Sequence, residues 1–202
     1  MQSKLLRFLF LAVTLFSAVV TSNARNKYLF VYFTGNDPHQ EQISYAVSDD
    51  GFNYTPLNGG KPVVASDSIA RTGCVRDPHI LRTKNGEYLM VVTDMRSSLG
   101  WASNRGIVLL KSRDLIHWQH HTVHFPEKYA GKNFANVTRV WAPQTIYDEK
   151  AGKYMVYFSL LTNDGTIPYD RVYWAYANAD FSDLEGEPQV LFDFHAPAID
   201  TD

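Results

Sequence analysis

The chain has 202 residues, 45% of them hydrophobic and 14% aromatic, and a formal net charge of −2. With no basic run, it lacks the charge footprint of a nucleic-acid-binding protein. One cysteine, Cys74, excludes an internal disulfide framework, and no Gly-rich phosphate loop or other cofactor motif occurs.

Lys4 and Arg7 precede an apolar run, Phe8–Val20, and Ser22-Asn23-Ala24 supplies small residues at a cleavage point. Residues 1–24 are therefore expected to be a secretory signal peptide and residues 25–202 a single exported domain, secreted or periplasmic. The run is shorter than the ~20 residues a membrane-spanning helix needs, so no membrane attachment is expected after cleavage.

From residue 28 onward, short apolar and aromatic runs alternate with Gly, Asn, Asp and Pro, a β pattern. The strand Tyr28–Thr34 recurs as Tyr88–Thr93 and Tyr154–Ser159. Second strands follow at Ile43–Ser48, Ile107–Ser112 and Val172–Ala177, so the unit repeats every ~65 residues. Asp-bearing turns come next, from Asp50 to Tyr54, Asp114 to Trp118 and Asp180 to Leu184. Units of this size predict the blades of a β-propeller, whose innermost strands gather around one axis.

The innermost strands are expected at Arg76–Ile80, Trp141–Ile146 and Ala196–Asp200, with proline tolerated at a strand start. Asp77 and Asp200 then converge on the axis. Paired carboxylates are what glycoside hydrolysis requires, one to take a proton from water and one to donate to the departing oxygen. An aspartate before proline also serves as a turn cap; the repeat register favours the functional reading.

Two longer inserts, residues 96–105 and 127–139, are expected to carry the binding surface. Trp101 and Trp141 are the candidates for stacking on a sugar ring, and Arg139 and Gln144 for hydrogen bonds to hydroxyls. Trp118 and Trp174 fall inside repeated strands and are expected in the core. His117, His120, His121 and His124 crowd one stretch, but neighbours on a strand point to opposite faces, so an exposed outer strand is expected and no metal site. Cys74 is expected to be a packing residue.

Val75-Arg76-Asp77-Pro78, the segment Ser112–Trp118, Trp141-Ala142-Pro143 and Ala198-Ile199-Asp200, in this order, resemble glycoside hydrolase family 43 over the mature chain. The resemblance implies a five-bladed β-propeller, of which about half the blades are present, acting by inversion on arabinose- or xylose-containing plant polysaccharides. It implies Asp77 as general base and Asp200 as the aspartate that orients the general acid and tunes its pKa. The family's general acid is a glutamate in a later blade, so the sequence is expected to be an incomplete, inactive fragment. Glu185 and Glu187 are expected on the rim. The alternatives are a carbohydrate-binding propeller without catalysis and a fructan- or sucrose-hydrolase-like propeller. The latter share Arg76-Asp77-Pro78, and Asn36-Asp37-Pro38 faintly echoes their base motif, but they have no counterpart of the later two segments.

Overall fold

Hairpins between sequence neighbours build the architecture. The computed structural model describes residues 27–163, 165 and 168–201, so the expected signal peptide lies outside the described residues. The first sheet is β1 (Tyr28–Tyr32), β2 (Ser44–Ser48) and β3 (Thr55–Pro56). The second is β4 (Val75–Arg82), β5 (Tyr88–Asp94), β6 (Gly106–Ser112) and β7 (Trp118–His124). The third is β8 (Val137–Asp148), β9 (Lys153–Thr162), β10 (Arg171–Tyr176) and β11 (Gln189–Phe192).

The predicted recurring strands are β1, β5 and β9, followed by β2, β6 and β10. The β1 sheet has three strands where the others have four; among the described residues, none pairs with β1 on the side opposite β2.

Burial explains the apolar runs. β5 and β6 are buried on both faces because a neighbouring sheet covers each. Leu89 and Val91 point into a layer shared with Val156, Phe158 and Leu160 of β9. The intervening Met90 and Val92 enter a second layer with Ile43 and Tyr45. β7 is the outer edge, with His120 and His121 exposed, as expected of a histidine-rich stretch on an outer strand.

Between β7 and β8 a short helix, α1 (Phe125–Lys128), drives Phe125 into the first layer. Its ring lies 5.5 Å from that of Phe158 at an interplanar angle of 89°, an edge-to-face contact.

The Asp turns repeat almost atom for atom in the first two sheets. Asp50 Oδ1 accepts the amides of Phe52 and Asn53 at 2.9 and 2.8 Å, and Asp114 Oδ1 those of Ile116 and His117 at 2.9 and 2.8 Å. In the third sheet Asn178, and not Asp180, does this, accepting from Ser182 N at 2.8 Å and Asp183 N at 3.2 Å.

Two further expectations are corrected. Pro78 and Pro143 sit in the middle of β4 and β8, not at strand starts. At each, two residues oppose one on the partner strand, between Arg76 and His79 and between Trp141 and Gln144. Such a bulge lifts proline out of the ladder, so its missing N–H leaves no pairing unmet. Ala196–Asp200 forms no strand among the described residues; Ala198 N is tied instead to Asp170 O at 3.1 Å.

Phe125→Ala is expected to lower stability by about 3–5 kcal/mol, the range for emptying a buried aromatic site, read from the shift of the denaturant midpoint.

Candidate active site

The two bulges place their first residue in left-handed backbone: φ is 50° at Asp77 and 48° at Ala142, and Asp200 shares the conformation at 54°. Non-glycine residues adopt this region at a cost of roughly 1–2 kcal/mol. The recurrence of the strain in equivalent positions marks it as built into the repeat. The first strands β4 and β8 lie side by side, so one bulge faces the next.

A hydroxyl joins them. Thr93, fully buried in β5, donates from Oγ1 to Asp77 Oδ2 at 2.8 Å and accepts from Ala142 N at 3.0 Å. Lower on the same seam, Thr145 N donates to His79 Nδ1 at 3.3 Å. Asp77 is partly buried, and its carboxyl is held above the usual range. Burial is the main cause and the nearby Asp200 charge adds to it; the Thr93 hydroxyl, the Arg76 charge and the Ala142 amide oppose it. The Asp200 charge thus reaches Asp77, while Asp200 itself is exposed.

A wall of alternating rings and guanidinium groups stands beside this carboxylate. The Trp101 and Trp141 rings meet edge to face at 5.8 Å. Arg76 lies 5.6 Å from the Trp101 ring and 4.6 Å from that of Phe33, and Arg139 lies 5.4 Å from that of Trp141. Trp101 remains 56% exposed, leaving ring surface open to a ligand; Trp141 is partly buried, and its indole N–H has no partner among the described residues.

Arg139 Nε and Nη2 are engaged by the buried Asp170 at 2.8 and 2.6 Å, a bidentate pair that fixes the guanidinium plane. Gln144 Oε1 accepts the Tyr157 hydroxyl at 2.7 Å. Trp118 is only partly buried, packed against the second apolar layer. Cys74 is buried, with its thiol pushed up by burial.

Glu185 and Glu187 are on the rim, paired with Lys153 at 2.5 Å and Lys132 at 2.8 Å. No group of three metal-ligating side chains close enough to hold an ion occurs among the described residues.

Sequence reasoning passed over Thr93, Asp170 and Glu41, a fully buried carboxylate bonded to Arg76 and Ser97. Only Thr93 carried a signal: each recurring strand closes on a hydroxyl, Thr34, Thr93 or Ser159. Ser159 opposes Trp141 as Thr93 opposes Arg76. With Ala142 where Asp77 stands in the preceding sheet, the buried Ser159 Oγ has no partner among the described residues.

Residues 23–202 match a family related to glycoside hydrolase family 43, described as a probable glycosyl hydrolase domain. The chain is similar to an alpha-L-arabinofuranosidase of Bifidobacterium longum subsp. longum, 28% identical over 186 residues, covering 82% of this chain and 17% of that protein. It shares its fold with a thermostable family-43 glycoside hydrolase, at a TM-score of 0.56 and 12% identity over 82% of this chain and 49% of that one. An exo-beta-1,3-galactanase of Phanerochaete chrysosporium, solved with beta-1,3-galactotriose, matches at a TM-score of 0.53 and 13% identity, over 81% of this chain and 36% of that one. The chain thus spans less than a fifth of the curated relative and under half of these two structures. Its architecture is all-β, part of a five-bladed β-propeller.

Thr93→Val removes a hydroxyl that lowers the Asp77 pKa and leaves the Ala142 amide short of an acceptor. Carbon-13 titration of Asp77 is expected to move to higher pH than in the wild type, and stability to fall by about 1–3 kcal/mol.

Proposed function

Because the chain belongs to the glycoside hydrolase family 43-related family, we propose that the full-length protein hydrolyses glycosidic bonds with inversion, using Asp77 as general base. The observation that carries this reading is the Asp77 carboxylate itself. It is presented from a strained bulge, held by Thr93, and set within range of the Asp200 charge. In the reaction, Asp77 takes a proton from water as the water oxygen bonds to the anomeric carbon. The bond from that carbon to the leaving oxygen breaks, and the leaving oxygen is protonated by an acid. Glu185 and Glu187 are not assigned that role, since both are ion-paired on the rim. Asp200 is assigned the tuning and orienting of the acid.

The substrate class we favour is an arabinose- or xylose-containing polysaccharide. The similarity to an arabinofuranosidase supports arabinose in particular; the galactanase likeness is one of fold. Trp101 and Trp141 are proposed to stack on the sugar, and Arg139 and Gln144 to contact its hydroxyls. The composition of residues 1–24 supports export to the periplasm or medium. No helix among the described residues is long and apolar enough to cross a membrane.

In the full-length protein, Asp77→Asn is expected to lower kcat by about 10²–10⁴, the usual loss when acid–base assistance is removed. Release of arabinose or xylose from aryl glycosides reads this, and proton NMR of the first-formed anomer reads the inversion. Cleavage of β-1,3-galactan alone would reassign the sugar, and binding without cleavage would favour a carbohydrate-binding propeller. The base acts ionised, so kcat/KM is expected to fall as pH drops through an Asp77 pKa lying above the ordinary carboxylate range.

Stability should show the opposite sign. An aspartate whose folded-state pKa is raised contributes stability that is present below its unfolded pKa of about 3.9 and is lost as pH rises through the folded value. Asp77→Asn is therefore expected to raise Tm at pH 7, with the gain disappearing as pH is lowered through the Asp77 titration. A Tm loss at pH 7 would contradict a buried carboxylate held there at a cost.

A further inference from the structure

Glu41 has no place in the chemistry above, yet it is the most enclosed charge at the site. It lies on the segment between β1 and β2, with its side chain entirely buried. A carboxylate in that position is tolerated only when its charge and lone pairs are satisfied. Four contacts do so. Ser97 N lies 3.1 Å from Oε1 and 3.0 Å from Oε2. The Ser97 hydroxyl donates to Oε1 over a short contact, and Arg76 Nη1 approaches Oε1 at 3.2 Å.

Arg76 Nη1 also reaches Ser97 Oγ at 2.9 Å and Asn36 Oδ1 at 2.6 Å. Ser97 opens the Ser97–Leu99 turn, and the next turn, Trp101–Ser103, begins with the exposed tryptophan. The backbone of Glu41 is fixed as well, since its carbonyl accepts from Val75 N at 2.9 Å, next to Arg76. One carboxylate therefore fastens together the first sheet, the strand that presents Asp77, and the insert that presents Trp101.

We propose that Glu41 is a positioning residue of the saccharide site: it clamps Arg76 to the Ser97 turn and so holds the Trp101 ring beside the strand that presents Asp77. The proposal rests on the reading of this site as a saccharide-binding hydrolase site. It adds a residue that touches neither substrate nor reacting atoms. Gripped by Glu41, Asn36 and Ser97 and flanked by Phe33 and Trp101, Arg76 acts as a brace with its charge already matched. A neutral sugar meets a ring surface there and no free cation.

The test is Glu41→Gln in the full-length protein, which keeps the shape and removes the charge. Amide exchange across residues 96–103 is expected to quicken at least tenfold, with β5 and β6 unchanged, as a local opening would give. KM for the saccharide is expected to rise about tenfold, the scale of one lost ring contact, with kcat altered less than twofold. Trp101→Ala should raise KM similarly, and the double variant no further, because both act through one ring. Unchanged exchange over 96–103 overturns the proposal whatever the hydrolysis result. Additive KM effects overturn it too, reducing Glu41 to a general stabiliser. If Glu41→Gln does not fold, Ser97→Ala, which removes only the hydroxyl side of the clamp, is expected to give the same pattern in weaker form. If the wild-type protein neither binds nor cleaves saccharides, the hydrolase reading falls, while the exchange comparison still decides whether Glu41 holds the Trp101 insert.

Discussion

The site depends on a break in hydrogen bonding. In β4 and β8 the ladder is interrupted where two residues face one, and the first of the two is forced into left-handed backbone. A regular strand would aim successive side chains to the two faces of the sheet, into the layers of Val, Leu and Met on either side. The bulge turns Asp77 out of that alternation and frees the amide of Ala142 to reach across to Thr93. Proline follows because a residue outside the ladder needs no N–H. The placement of Asp77 and the proline motif are thus two results of one backbone irregularity.

Buried charge keeps the surroundings of that irregularity in place. Glu41 and Asp170 are almost inaccessible to solvent, and each holds an arginine that lies against a tryptophan. The sequence Phe33, Arg76, Trp101, Trp141, Arg139 forms a continuous row of contacts from the first sheet to the third. Removing either carboxylate would leave a guanidinium partly enclosed and unmatched, which is why such pairs are costly to break even where forming them adds little net stability.

Much of the scaffold could be read from the sequence because its signals are local. The recurring strands, the Asp50 and Asp114 turns and the exposed histidine edge depend on residues within a few positions of one another. The Asp77 register was legible for the same reason, through repetition of Arg76-Asp77-Pro78 and Trp141-Ala142-Pro143. The proline positions within their strands were misjudged, because a bulge is visible only once the partner strand is known. Asn178 replaced Asp180 as the cap of the third turn, since either residue type can accept the same amides. Glu41 and Asp170, and the pairing of Arg76 and Arg139 with them, were invisible: Glu41 meets Ser97 across 56 residues and Arg139 meets Asp170 across 31. No local pattern distinguishes such a carboxylate from a solvated one.

The meander connectivity has a consequence for how the molecule assembles. Among the described residues every strand pair joins neighbours in sequence, so each sheet closes only short loops as it forms, the condition under which β structure is acquired quickly. Two links that complete the site, Glu41 to Ser97 and Thr93 to Ala142, join different sheets across longer stretches of chain and form only where those sheets have docked. Strand formation and site formation are therefore separate events in time.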